Sequence, residues 1–258
     1  MIDAHVHVWD TARRELPWLP AGHPLRRDFG LTDLVEDGPH AELVLIQADA
    51  DPAEVHDLLD LAARTPAVVG VVGWFDLLGS TLDLPNDPRL VGIRSPPADQ
   101  TDPEALTSPA HISGVRAATD AGLAIDLLLR PPALIGAARL ADAVPEARLV
   151  LDHLGNPNAV DTDWLTGMKA LAAAPNVTVK LSGTAHLPSD DFKELVGIIL
   201  DLFGSERLMF GSDWPVCTLK GSRSDVVRRT AALLPPATHN DVFRGTAQRI
   251  YRPRETAP

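Results

Sequence analysis

The chain has 258 residues, of which 45% are hydrophobic and 22% are charged, a composition that excludes the disordered and collagen-like classes. Its 23 Lys and Arg residues against 35 Asp and Glu residues give a net charge of −12, which repels a phosphate backbone. The sequence has no uncharged apolar run of membrane-spanning length and begins without a basic signal region. We therefore expect a soluble, cytoplasmic protein with no nucleic-acid or membrane partner, and we expect its single cysteine, Cys217, to be a small packed residue.

Eight apolar runs of strand length recur along the chain. In order they are IDAHVHV near residue 2, ELVLIQA near 42, AVVGVVGWF near 67, LVGIR near 90, LAIDLLLR near 123, RLVLDH near 148, VTVKLSG near 177 and RLMFGSD near 207. Nearly continuous apolar and β-branched runs are typical of parallel strands that are buried on both faces. The sequence therefore predicts eight strands in a parallel sheet.

Most of the stretches between these runs have helical periodicity. Asp51 and Pro52 precede AEVHDLLDLAAR, and Ser189 precedes DDFKELVGIILDLF, as start signals. Further stretches are PALIGAARLADAV, DWLTGMKALAAA and the closing VFRGTAQRIY. Strands that alternate with helices over this length predict an α/β fold, a (β/α)8 TIM barrel that forms a single domain over residues 1–258. An open, doubly wound sheet is the alternative.

Two connections depart from this alternation. Residues 9–41 carry Trp9, Trp18 and several prolines before a short helical stretch at LTDLVED, and a connection of this length is commonly a functional lid. Residues 76–89 show no helical pattern. No repeat or low-complexity linker indicates a domain boundary.

Polar residues stand where the apolar runs end. They are His5 and His7 on the first run, Gln47 on the second, Trp74 on the third, Arg94 on the fourth, Arg130 on the fifth, His153 on the sixth, Lys180 on the seventh and Asp213 on the eighth. The carboxyl ends of barrel strands meet at one end of the barrel, and buried polar groups need partners. We therefore expect a polar pocket at that end.

His5 and His7 are two residues apart on one strand, so the period of two directs both imidazoles into the barrel mouth. The residues expected to face the surrounding helices are Ile2, Ala4, Val6 and Val8. With His153 and Asp213, the two histidines offer nitrogen and oxygen ligands that suit Zn²⁺ or a similar divalent ion.

Other strand-end residues form a candidate substrate-binding set. Arg94 is a candidate for holding a substrate carboxylate or for polarising a carbonyl as a catalytic residue, with a structural salt bridge as the alternative. Lys180 is expected to reach the rim of the pocket, although a buried lysine with a lowered pKa is the alternative. Gln47, Trp74 and Trp214 complete the set, and residues of these types are more often packing residues.

Seven segments in chain order carry a family resemblance. They are DAHVHVWD, VLIQAD, GVVGWFDL, LVGIR, LVLDHLGNP, VKLSG and RLMFGSDWPVC. With the closing FRGTAQRIY, they resemble the amidohydrolase superfamily, and most closely its amidohydrolase-2 branch of TIM-barrel hydrolases, which includes sugar-lactone and muconolactone lactonases. The resemblance implies hydrolysis of a small carboxylated lactone. It also implies that His5, His7 and His153 bind a metal or the substrate carbonyl, and that Asp213 is the general acid and base.

The resemblance implies one divalent ion, zinc or manganese, although some lactonases of this branch work without a metal. A bound ion would lower the pKa of water and polarise the carbonyl, and without an ion the three histidines would form an oxyanion site. The branch often has a histidine after the strand-four arginine, where this chain has Ser95, so the substrate is left open.

Two other functions compete with lactone hydrolysis. One is a metal-dependent decarboxylase of an aromatic or enol acid that uses the same site, and the other is a non-catalytic barrel that binds sugar acids. All three have a small-molecule partner, and association into a homo-oligomer is left open.

Overall fold

The computed structural model describes residues 1–79, 82–95 and 101–253. Eight parallel strands lie side by side in sequence order. They are β1 (Ile2–Val6), β2 (Glu42–Ile46), β3 (Val68–Trp74), β4 (Leu90–Arg94), β5 (Ala124–Leu127), β6 (Arg148–Leu151), β7 (Val177–Leu181) and β8 (Leu208–Phe210). The eight predicted strands are confirmed.

The sheet closes between β1 and the segment that follows β8. The amide of Asp213 donates to the carbonyl of His5 at 2.9 Å, and the amide of His7 donates to the carbonyl of Trp214 at 2.7 Å. These two hydrogen bonds join the edges that an open sheet would leave unpaired. The predicted (β/α)8 barrel is therefore confirmed, and the open sheet is wrong. We call this junction between β1 and the segment after β8 the closing seam. It holds His5 and His7 of the first strand run next to Asp213.

Helices surround the barrel. They are α1 (Leu31–Glu36), α2 (Pro52–Ala63), α3 (Pro109–Asp120), α4 (Leu134–Ala143), α5 (Thr162–Ala173), α6 (Ser189–Phe203), α7 (Arg223–Leu233) and α8 (Thr246–Ile250). The predicted helical stretches are confirmed, the last with a π-helical turn over Asp241–Gly245 that leads into α8. Within the described part of the chain, no helix is long and apolar enough to cross a membrane.

The sequence did not predict α3 and α7. The reason is clearest for α7, in which Val226 is the apolar residue among the three buried ones and the others are Arg223 and Thr230. A helix that buries polar side chains lacks the apolar period by which helices are recognised. Its start is set by a capping box, in which Ser222 and Asp225 each bind the other's backbone amide.

Buried apolar residues form two clusters. The larger cluster lies between the strands and the helices. The smaller cluster takes residues from seven of the eight strands and from α8, so it fills the barrel interior, and α8 covers its amino-terminal end. The parallel strands are therefore buried on both faces, as their continuous apolar runs predict.

The predicted orientation of Ile2 and Ala4 is wrong. Both side chains pack in the interior cluster with Tyr251, whereas Val6 packs in the outer cluster. The pairing of β1 with β2 shifts in register between Asp3 and Val6. A shift of this kind changes which alternate residues face inward, and the first half of β1 is therefore out of phase with the second.

The long connection over residues 9–41 lies beside the carboxyl end of β1. Trp9 and Phe29 exchange backbone hydrogen bonds of 3.1 and 3.0 Å. The Trp9 ring centroid lies 6.3 Å from that of His7, and Phe29 packs edge-on against Trp214 at 5.5 Å. In the other irregular connection, the described residues 76–79 and 82–89 contain no helix, as predicted.

Candidate active site

Four polar residues meet at the carboxyl end of the barrel. The Nε2 atoms of His5 and His7 are 3.2 Å apart. The Asp213 Oδ1 atom lies 3.8 Å from the first and 3.7 Å from the second. His153 joins them, because ligand atoms of His5, His153 and Asp213 all lie within 4.8 Å of one another. The structure thus brings together the four residues predicted as metal ligands.

The hydrogen bonds of His7 show that this site fits a cation. Its Nδ1 atom is 2.7 Å from the carbonyl oxygen of Ile46, which only accepts, so Nδ1 carries the proton and Nε2 of the neutral ring carries a lone pair. That lone pair points at the Nε2 atom of His5 and at the Asp213 carboxylate. In a tetrahedral Zn²⁺ site, ligand atoms about 2.0–2.1 Å from the ion lie about 3.3 Å from one another. The 3.2 Å distance between the Nε2 atoms of His5 and His7 matches this value. A divalent ion would satisfy all three groups.

Burial sets the protonation of these groups. It lowers the pKa of His7 to about 3 and that of His153 to about 4, so both rings are neutral near pH 7, as metal ligands must be. Burial also lowers the pKa of His5 well below its usual value, and it raises the pKa of Asp213 to about 8. A cation bound beside Asp213 would favour its carboxylate form.

Two of the four residues stand on strained backbone. His153 has a φ of 53° and Asp213 a φ of 59°, in the left-handed region that non-glycine residues seldom adopt. Such strain costs on the order of 1–3 kcal/mol per residue and is concentrated at functional sites. The strain follows the ends of β6 and β8, where the chain turns to point these side chains at the site.

Gly183 gives His153 its room. Its φ is 64°, and a Cβ atom there would lie 2.7 Å from the His153 ring. The ring is also held by a 2.9 Å contact between its Nδ1 atom and the Ser182 hydroxyl, so a displacement of the ring would disturb this bond. The β7 loop therefore requires a glycine at this position.

We expect Gly183→Ala to displace His153 and to lower kcat/KM at least about tenfold. Gly204→Ala is the matched control, because Gly204 also has a positive φ, 68°, but a Cβ atom there meets nothing within 4 Å. Both variants carry the cost of an alanine at positive φ, and only Gly183→Ala carries the clash. Equal kcat/KM values for the two variants would contradict the role given to Gly183.

A group of buried charges that the sequence did not predict lies under the four residues. Asp152 Oδ1 is 3.3 Å from the Nδ1 atom of His5 and 3.0 Å from Lys180 Nζ. Lys180 Nζ also donates to Asp126 Oδ2 at 2.5 Å. Burial opposes the charge on Asp152, but Lys180 and His5 hold the pKa of Asp152 well below its usual value. One feature of the sequence indicates these buried charges. Asp126 and Asp152 each lie inside an apolar strand run, LAIDLLLR and RLVLDH.

The prediction that Lys180 reaches the pocket rim is wrong. Its side chain is fully buried and sits between two buried carboxylates, Asp126 and Asp152. Desolvating an ammonium is costly unless carboxylates compensate it, and two do so here. The structure therefore places Lys180 beneath the site, away from the face a substrate would contact.

Arg94 and Trp74 lie at the edge of the site. The Arg94 Nε atom is 3.6 Å from Asp152 Oδ2, and its guanidinium carbon lies 5.5 Å from the Trp74 ring centroid. Among the described residues, Arg94 Nε and Trp74 Nε1 are buried without a hydrogen-bond partner. Trp74 also lines an open cavity of about 620 Å³. Both side chains thus retain donors that a ligand could use.

Gln47 and Trp214 have other contacts. The Gln47 amide donates to the carbonyls of Asp49 and Asp51 at 2.7 and 2.9 Å and accepts from the amide of Trp74 at 2.7 Å. Its hydrogen bonds therefore tie the loop after β2 to the end of β3. Trp214 is 1% exposed, so both residues act as packing and bracing groups, the alternative that their types favour.

An opening of about 210 Å³ adjoins Asp213. Its lining is largely apolar and includes Cys217, while the exposed His186 and Lys220 stand among its outer residues. Burial raises the pKa of the Cys217 thiol, which keeps it protonated and inert. Cys217 is thus a packed residue, as predicted. The opening is a route by which a small molecule could reach Asp213.

Comparison with known proteins places this chain in a family. The sequence model of the amidohydrolase family matches residues 2–252. An L-fucono-1,5-lactonase of Burkholderia ambifaria is 34% identical, with 97% of this chain and 95% of the relative covered. An L-fucono-1,5-lactonase of Burkholderia multivorans is 32% identical, with 99% and 97% covered.

Solved structures agree in fold. A Burkholderia multivorans amidohydrolase with bound zinc has a TM-score of 0.86 at 29% identity, with 97% of this chain and 98% of the other covered. A probable 2-pyrone-4,6-dicarboxylic acid hydrolase of Acinetobacter baumannii has a TM-score of 0.76 at 16% identity, with 97% and 98% covered, and shows the fold alone. Since the family match spans nearly the whole barrel, the predicted resemblance is confirmed and the protein belongs to the amidohydrolase family of hydrolases.

Proposed function

We propose that the protein opens a lactone of a sugar acid by attack of water, with Asp213 as the general acid and base. The observation that carries the proposal is the position of Asp213, whose carboxylate lies within 3.8 Å of the Nε2 atoms of His5 and His7 and borders an opening. The two relatives above 30% identity, both L-fucono-1,5-lactonases, support a 1,5-lactone of a deoxy sugar acid as the substrate.

His5, His7, His153 and Asp213 would hold one divalent ion, zinc or manganese. Imidazole nitrogen and carboxylate oxygen are ligands that such ions accept, and the similar amidohydrolase with bound zinc supports this assignment. When bound, the ion supplies Lewis acidity toward the carbonyl and a lowered pKa for water.

The residues of the chain handle the protons and the charge. Asp213 accepts the proton of the attacking water and returns it to the leaving ring oxygen, which requires one carboxylate near both oxygens. Arg94, whose Nε has no hydrogen-bond partner among the described residues although Asp152 Oδ2 lies 3.6 Å away, stabilises the negative charge that develops on the carbonyl oxygen and then holds the carboxylate of the product. Ser182 keeps the His153 ring in place through Nδ1.

We expect protein purified without chelator to contain about one equivalent of a divalent ion, because His5, His153 and Asp213 offer ligand atoms within 4.8 Å of one another and the Nε2 atom of His7 lies 3.2 Å from that of His5. Elemental analysis measures this content, and dialysis against a chelator followed by return of Zn²⁺ or Mn²⁺ shows whether turnover depends on it. Less than about a tenth of an equivalent with full turnover would contradict the metal site and favour the three histidines as an oxyanion site.

A pH-indicator assay over a panel of lactones tests the reaction itself. The panel contains L-fucono-1,5-lactone, its 1,4 isomer and muconolactone, each measured against its spontaneous hydrolysis. We expect acceleration of the sugar 1,5-lactone and none of muconolactone. Failure on every sugar lactone would overturn the proposal. Decarboxylases also share the fold, but at 14–16% identity they indicate the fold alone, and release of carbon dioxide from an aromatic acid would be needed to favour that reaction.

A further inference from the structure

A column of buried polar side chains runs down the barrel interior from the candidate active site to α8. The Tyr251 hydroxyl donates to Asp126 Oδ1 at 2.7 Å and lies 2.8 Å from Oδ2. Lys180 Nζ donates to Asp126 Oδ2 at 2.5 Å and lies 3.0 Å from Asp152 Oδ1. We call Tyr251, Asp126, Lys180 and Asp152 the polar column. It ends at His5, the first of the proposed metal ligands.

His5 meets two opposed neighbours at the top of the polar column. Its Nδ1 atom is 3.3 Å from Asp152 Oδ1 and also 3.3 Å from Lys180 Nζ. The carboxylate can only accept a hydrogen bond from Nδ1, whereas the ammonium can only donate one to it. The group that prevails decides which nitrogen of His5 carries the proton.

This choice decides whether His5 can bind a metal. With the proton on Nδ1, the lone pair stands on Nε2, 3.2 Å from the Nε2 atom of His7 and 3.8 Å from Asp213 Oδ1. With the proton on Nε2, the same position presents an N–H group to the site and repels a cation. A ligating histidine usually donates its other nitrogen to a carboxylate for this reason.

Asp126 biases the competition. Its contact with Lys180 Nζ is the shortest that the ammonium makes in the polar column, 2.5 Å against 3.0 Å to Asp152 and 3.3 Å to His5. Tyr251 holds Asp126 from below through its hydroxyl, and the Tyr251 ring centroid lies 5.2 Å from Lys180 Nζ. Asp126 therefore competes with the Nδ1 atom of His5 for the ammonium. In the described part of the chain Asp152 Oδ1 has no hydrogen-bond partner, so it retains the capacity to accept from His5.

We propose that Asp126, supported by Tyr251, is a positioning residue that draws Lys180 away from His5 and so keeps His5 in the Nδ1–H tautomer required of a metal ligand. The inference rests on the proposed metal site. It assigns Lys180 a role in ligand orientation, and it makes the docking of α8, which Tyr251 directly follows, important for the metal site.

Two variants and a control test the proposal. Asp126→Asn keeps the shape of the side chain but removes the charge that holds Lys180, and Tyr251→Phe removes one hydroxyl and keeps the ring. Ile250→Val is the control. Ile250 packs in the same interior cluster as Tyr251, and its change to valine removes one methylene without removing a polar group. Near-UV circular dichroism establishes that each variant is folded.

The first readout is the tautomer of His5, measured by ¹⁵N NMR of histidine-labelled protein and assigned by the signal that is lost in His5→Gln. We expect the Nδ1–H form in the native protein and in Ile250→Val, and a shift toward the Nε2–H form in Asp126→Asn. The second readout is Zn²⁺ affinity by chelator competition. We expect it to fall about 10–100-fold in Asp126→Asn, about threefold or more in Tyr251→Phe, and not at all in the control.

Retention of the Nδ1–H tautomer and of Zn²⁺ affinity in folded Asp126→Asn would overturn the proposal. If Asp126→Asn does not fold, Tyr251→Phe decides, and a native tautomer and affinity in that variant would also overturn it. If the native protein binds no Zn²⁺, the proposed metal site fails, and the NMR comparison still decides whether Asp126 sets the tautomer of His5. The two failures are therefore distinguishable.

Discussion

Asp213→Asn is expected to lower lactone turnover by about 10²–10⁴-fold while the barrel stays folded, because a carboxamide cannot accept and return the proton of water. The closing seam should survive, since Asp213 joins it through its backbone amide. Initial rates on a sugar 1,5-lactone give the loss, and circular dichroism and elemental analysis give the folded fraction and the metal content.

Asp161→Asn is the matched control for this variant. Asp161 is an exposed N-cap of α5 that accepts from the Trp164 amide, and asparagine caps helices equally well. The same chemical change should therefore leave turnover unaltered at that position. A near-native rate in Asp213→Asn would remove Asp213 from its proposed role.

Asp3→Ala is expected to lower the free energy of unfolding by about 3–5 kcal/mol, as removal of one partner of a buried ion pair does. Asp3 Oδ2 lies 2.8 Å from Arg223 Nε with both side chains fully buried, and its Oδ1 accepts from the Ser212 amide at 2.8 Å. The pair ties β1, α7 and the segment after β8 together beside the closing seam. Urea unfolding measures the loss.

A double variant tests whether the loss of stability comes from leaving the Arg223 charge buried without its partner. Adding Arg223→Met to Asp3→Ala removes the uncompensated buried charge, so the double variant should be more stable than Asp3→Ala alone. Glu104→Ala, which breaks the exposed pair with Arg139, should cost at most about 1 kcal/mol. A loss in Asp3→Ala no larger than that in Glu104→Ala would show that the buried pair does not stabilise the seam.

Much of the barrel could be predicted because its signals are local. Each apolar strand run and most helical stretches are readable within about 10 residues, and polar residues at strand ends must meet at one end of a parallel barrel. His5, His7, His153 and Asp213 were found in this way. The roles given to them stay predictions that the experiments above test.

Local signals do not predict a helix that lacks an apolar period, and they do not predict a register shift within a strand. The structure reveals α7 through its buried Arg223, whose partner Asp3 is at the other end of the chain. It also shows that Ile2 and Ala4 face the interior because β1 changes phase between Asp3 and Val6. Period alone places residues on alternate faces, but it does not locate the point where the alternation slips.

The sequence by itself determined the barrel, the end of it that carries the polar residues, and the inward direction of His5 and His7, because these follow from strand period and from where apolar runs stop. Only the tertiary structure decided which buried charges are partners. The position of Lys180 at the end of an apolar run predicts the rim, whereas the structure places its ammonium between Asp126 and Asp152, 54 and 28 positions earlier in the chain. Whether a lysine is desolvated depends on the groups that neighbouring strands place around it, and that depends on the registers of strands far apart in sequence.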